Sequence, residues 1–150
     1  APYERFATFN FAIKKDVFTS ILFDESIIRY GHEDTLFGKE LERRGIPIRH
    51  IDNKLLHNGL ESNAIFLAKS EQALATLLTI EDKIGSTPLL ATLRKLRALH
   101  LEGVFMIYWN LRKDSLRKNL LGKRPSLTKF KIYKLGYYIS LHRKGNANTH

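Results

Sequence analysis

The chain has 150 residues, with 25 Lys and Arg against 15 Asp and Glu, a formal charge of +10 and a 43% hydrophobic share. That is core-forming material for about one domain, which excludes a disordered polymer. The lack of cysteine excludes disulfide scaffolds, zinc–thiolate sites and thiol nucleophiles, and the longest apolar run, Gly103 to Trp109, is far short of the roughly 20 residues of a spanning helix.

The N-terminus has no basic start followed by an apolar run and a cleavage site, so it does not read as a secretory signal. It lacks an initiator Met and leads straight into a strand pattern, which gives the expectation of a fragment. Phe6 to Ile13 alternates, with Phe9, Phe11 and Ile13 on one face and Thr8, Asn10 and Ala12 on the other. A short helix is predicted over Lys14 to Ile21, then an irregular passage from Phe23 to Gly31. Glu33 to Arg44 reads as a helix, with acids in its first turn, bases in its last and Gly45 as terminator. Ile46 to Ile51 alternates again, and Lys54 to His57 is a second short extended run. Apolar residues at helical spacing then predict a helix from Asn63 to Ile84. The order strand, helix, loop, helix, strand, strand, helix is α/β, with too few strands for a complete doubly wound sheet.

The charge is unevenly placed. Residues 1–75 hold 10 Lys and Arg and 11 Asp and Glu, whereas residues 76–150 hold 15 and 4, so the net charges are −1 and +11. Such asymmetry suggests two parts, and the break falls at Lys83 to Pro88, where a helical pattern meets Gly and Pro. The division expected is 1–85 and 86–150, the latter a mainly helical basic extension.

Tyr30-Gly31-His32-Glu33-Asp34 is the stretch richest in chemistry. Two adjacent carboxylates at a helix start lie in the field of exposed backbone N–H groups, which favours the ionised form that a general base or hydroxyl-binding site requires. The same pair also serves as first-turn acids and a cap, and spacing alone leaves both roles open.

Asn10 to Phe18, Phe23-Asp24-Glu25, Tyr30 to Asp34, Gly45 and His57, in that order, resemble the C-terminal half of the catalytic domain of family 2 glycosyltransferases. These are inverting enzymes of the GT-A type that use nucleotide-diphosphate sugars. The resemblance covers roughly residues 3–80 and implies the acceptor-side half of such a domain, in surface polysaccharide or glycan synthesis, at the cytoplasmic side of a membrane. It implies that Asp34 takes the proton of the acceptor hydroxyl, and that Glu33, with Asn10, Gly31 and His32, binds acceptor or donor sugar. It implies that Asp24 orders the loop before the Glu-Asp helix. His57 stands where relatives place a ligand to a divalent metal, Mn or Mg, that neutralises the leaving diphosphate; His50 is the runner-up. The Asp-x-Asp motif that holds metal and diphosphate in such enzymes is absent, as is any Gly-rich phosphate loop. The chain alone is therefore expected not to turn over sugar nucleotide, and a half-sheet with an uncovered edge is expected to self-associate.

From Pro88 onward, leucines recur at helical spacing with bases between them, and Lys129 to Tyr138 interleaves bases with aromatics. Three readings are open: a packed helical extension with a solvated basic face, an amphipathic surface on anionic lipid with Trp109 and the tyrosines at the interface, or nucleic-acid binding. No nucleic-acid motif is present, and the first half argues against that partner. A non-enzymatic basic module that binds an anionic membrane or another polyanion is the alternative to sugar transfer.

Overall fold

The computed structural model describes residues 2–3, 6–23, 30–56 and 58–147, with side chains to residue 145. Among them are six α-helices: α1 (Lys15–Ile21), α2 (Glu33–Arg43), α3 (Asn63–Ile84), α4 (Pro88–Ala98), α5 (Glu102–Leu121) and α6 (Leu127–Ala147). None of these is long and apolar enough to cross a membrane.

The helix ends follow local chemistry. Ser62 Oγ accepts from the Ile65 N–H at the start of α3, and Thr87 Oγ1 accepts from the Leu90 N–H at the start of α4, where Pro88 fills the first helical position. At the end of α2 the Ile46 N–H reaches Leu41 O and the Gly45 N–H reaches Glu42 O, both at 3.0 Å. That is a Schellman closure, and it places Gly45 at φ 65°, where a glycine pays no Cβ penalty. The end of α4 has the same closure, with Leu101 N–H to Leu96 O and His100 N–H to Arg97 O, but its left-handed residue is His100 at φ 57°.

Helices α3 to α6 share one core. Leu67, Leu74, Leu77, Ile80 and Ile84 of α3 meet Leu90 and Leu93 of α4, Met106, Trp109, Leu116 and Leu120 of α5, and Tyr133, Leu135, Tyr138 and Ile139 of α6. Helix α6 packs on α3, α4 and α5 at once. It is apolar nearly all round between Ile132 and Leu141, as an enclosed helix must be. Its buried phenols find carboxylates on α3: Tyr133 donates to Glu71 at 2.6 Å and Tyr138 to Glu81 at 2.5 Å. Burial, then the neighbouring carboxylate, pushes both phenols above their ordinary value. Helix α3, which the sequence division at residue 85 groups with the first half, is thus a wall of the core that the basic helices build.

A smaller aromatic cluster surrounds Phe37 of α2. Phe23 and Phe6 stack on it at 4.6 and 5.5 Å, and Phe18 of α1 lies 6.1 Å away. The next residue back, Leu36, packs against the main core, so α2 joins the two clusters.

The expected α/β class, the C-terminal half of a GT-A domain, is overturned: among the described residues no strand forms. Thr8–Asn10 is a single 3-10 turn, and residues 46–51 and 54–56 run as irregular chain. Period-two alternation buries a face only when a neighbouring strand supplies the ladder and a second layer covers it. Neither is supplied, and Phe9, Ile51 and Leu56 are left 81%, 71% and 85% exposed. The placement of Trp109, Tyr133 and Tyr138 at a lipid interface is corrected too, whereas Tyr108 stays exposed. Trp109 is buried edge-on against Tyr133 at 5.3 Å, and Tyr138 is fully enclosed.

Candidate functional site

The Tyr30 to Asp34 stretch is a turn seated on α3. Gly31 has φ 109° and lies so close to α3 that a Cβ on it would come within 2.6 Å of Ala73 Cβ. Three residues after Ala73, the Thr76 hydroxyl donates to the Tyr30 carbonyl at 3.0 Å. The Lys69 ammonium sits 5.5 Å above the Tyr30 ring and is ion-paired with Glu61. Three side chains on one face of α3, at positions 69, 73 and 76, therefore hold the turn. His32 then takes a left-handed conformation, φ 74°, and starts α2 without a side-chain cap. Burial lowers the His32 pKa below its ordinary value, with Lys134 of α6 adding to the effect and Glu33 and a bond to the Ala73 backbone opposing it.

Glu33 and Asp34 occupy the first turn of α2 and are half-buried. Thr8 addresses both oxygens of Asp34: its hydroxyl donates to Oδ1 at 2.6 Å and its backbone N–H to Oδ2 at 3.2 Å. A carboxylate offers about four lone-pair sites, so Thr8 fixes the orientation of the group and leaves acceptor capacity on each oxygen. The arrangement presents an oriented proton acceptor on a helix start, next to a turn seated on α3.

Of the other residues singled out in the sequence, Asn10 is exposed and its Nδ2 donates to Asn53 O at 3.0 Å. Thr8, two residues earlier, is the neighbour of Asp34. His50 is exposed with Nε2 2.8 Å from Pro2 O. Asp24 and His57 lie outside the described residues. No three His, Asp or Glu side chains gather into a metal-binding group among the described residues. His57, the ligand that the resemblance implies, is not among the residues described, and no step is routed through a metal. A cleft beside α1 and α2, lined by Ile21, Leu22, Phe37, Lys39, Glu40 and Arg43 among others, does not include Glu33 or Asp34.

The sequence reading missed Thr8, Ala73 and Thr76. Thr8 was on the small polar face with Asn10, but nothing local paired it with a residue 26 positions away. No known family model matches the chain, and neither the curated proteins nor the solved structures include a significant match to it.

Proposed function

We propose that this chain is the acceptor-side part of a glycosyltransferase that moves a sugar from a nucleotide-diphosphate donor to a hydroxyl acceptor with inversion. The observation that carries the reading is the seating of Tyr30 to Asp34 on α3 with the Asp34 carboxylate oriented by Thr8. A hydroxyl is a poor nucleophile until a positioned base begins to remove its proton. In this reading the acceptor oxygen forms its bond to the anomeric carbon, the bond from that carbon to the diphosphate oxygen breaks, and the hydroxyl proton passes to Asp34. Glu33 and His32, which precede the base along the chain, hold the sugar hydroxyls. The donor is held by residues that supply an Asp-x-Asp, a motif this sequence does not contain.

The test is transfer of labelled sugar by the chain joined behind a donor-binding half. Asp34→Asn is expected to cut turnover by roughly 10²- to 10⁴-fold, the usual contribution of a general base, while leaving the helical signal intact. Thr8→Val removes the hydroxyl tether but leaves the carboxylate, and is expected to lower turnover far less. Undiminished turnover with Asp34→Asn removes Asp34 as the base, and equal losses in the two variants reduce Asp34 to a partner that tethers Thr8.

A further inference from the structure

The outer face of α5 is apolar where it meets solvent. Val104, Ile107, Tyr108 and Leu111 follow at i, i+3, i+4 and i+7, so they form one stripe. They point away from Met106, Trp109, Leu116 and Leu120, which enter the core. The stripe residues are 64%, 64%, 42% and 78% exposed, and Leu99 and Leu101 at the α4–α5 corner, also exposed, extend it towards α4. A contiguous stripe of this kind marks a contact surface, unlike single exposed apolar residues.

The charges beside the stripe select its occupant. Lys118 repeats the position of Leu111 one heptad later, about 10 Å along the axis, and Arg112 follows Tyr108 by four residues; both are exposed. They belong to a half of the chain with net charge +11. A second copy would set two such surfaces against each other. A nucleic acid would satisfy the bases but leave the stripe in water. We propose that the outer face of α5 docks on an anionic lipid surface, with Val104, Ile107, Tyr108 and Leu111 entering the interface and Arg112 and Lys118 reaching headgroup phosphates. An apolar stripe set beside basic side chains combines these two attractions at a lipid interface. Of the acids on α5, Glu102 is occupied by Arg97 and Arg143, and Asp114 stands on the outer side between Leu111 and Lys118 as the one opposing charge. None of these residues belongs to the Tyr30 to Asp34 turn, so this role holds whether or not the chain transfers sugar.

The experiment is co-sedimentation of the full chain with vesicles of equimolar phosphatidylglycerol and phosphatidylcholine, and with phosphatidylcholine alone, at low and high salt. Binding is expected to the anionic vesicles only and to weaken with salt. Ile107→Ser with Leu111→Ser is expected to lower partitioning about tenfold at unchanged helicity and melting, since both side chains already face solvent. Asp114→Lys is expected to raise it. Failure of the wild type to bind anionic vesicles overturns the assignment. So does undiminished binding by the double variant, which would reduce the contact to general polyanion attraction. A dimer that forms with concentration, excludes vesicles and dissolves in the double variant would give the face to a second copy.

Discussion

Replacing Gly136 by alanine sets two effects of opposite sign against each other. Alanine is the better helix former, and in an open helix interior the exchange is worth about 1 kcal/mol. Gly136, however, lies under the indole of Trp109. A Cβ there would be 2.9 Å from Cγ and closer still to Cδ2 and Cε3. Carbon atoms rest at about 3.5–4.0 Å, so the ring must retreat by roughly 1 Å or more. Trp109 is only 4% exposed and has Tyr133 against it, so the retreat has to part α5 from α6 in the most enclosed portion of the core. Overpacking of this kind costs about 1–3 kcal/mol, and loosening the Tyr138 and Ile139 layer puts the variant at the upper end. The net expectation is a loss of about 2 kcal/mol, or a melting point lower by roughly 4–8 °C for a chain of this size. Urea unfolding followed by circular dichroism measures the loss, and the fluorescence of the single tryptophan reports the displaced ring. Gly103→Ala, where a Cβ meets nothing within 4 Å, is the paired control and is expected to gain up to about 1 kcal/mol. A Gly136→Ala protein as stable as the wild type, with unchanged fluorescence, would refute the close α5–α6 approach.

Gly31→Ala introduces a Cβ within 2.6 Å of Ala73 Cβ at a φ of 109°, and is expected to cost about 2–3 kcal/mol. Hydrogen exchange should show the loss in α2 with α6 still protected; retained α2 protection would count against the seating of the turn. His100→Gly relieves a left-handed residue at the end of α4, exposed and with its imidazole against Ala98 O of its own turn, and is expected to stabilise by about 0.5–1 kcal/mol in thermal melts. His32 has a lowered pKa in the fold, so the unfolded chain binds the proton more readily; its contribution is complete above its ordinary value of 6.5 and is lost on acidification through the folded value. His32→Asn, which tolerates the left-handed backbone, should flatten the decline of melting temperature between about pH 7.5 and 5 relative to wild type, and identical declines would remove His32 from that linkage.

The helices were legible because their signals are local. The predicted boundaries Asn63 and Ile84 are those observed for α3, and the first-turn acids and Gly45 bracket α2 within one residue. Capping, dipole complementarity and left-handed closure act within a turn, so the residues that set them are neighbours in the chain. The strands failed for the complementary reason. Alternation at Phe9, Phe11 and Ile13 states which side chains would share a face, and says nothing about whether a partner strand is there to pair. Trp109, Tyr133 and Tyr138 were misread on the same ground. A tyrosine between lysines suits a wet interface or a core with a carboxylate opposite, and Glu71 and Glu81, about 60 residues earlier in sequence, decide for the core.

The candidate site was half legible. Glu33 and Asp34 stand out from composition and spacing alone, but what orients them is remote: Thr8 lies 26 residues before Asp34, and Thr76 lies 46 residues after Tyr30. A signal for the second contact was present on α3 all the same. Leu74, Leu77 and Ile80 are large and buried, whereas Ala73 and Thr76, at i and i+3, are small. Small residues beside a row of large ones leave a shallow seat that only a close backbone can fill, and Gly31 is the residue type that brings a backbone close. The seat and the glycine are two halves of one mark. Together they place the start of α2 against α3, and with it the pair of carboxylates on which the proposed chemistry depends.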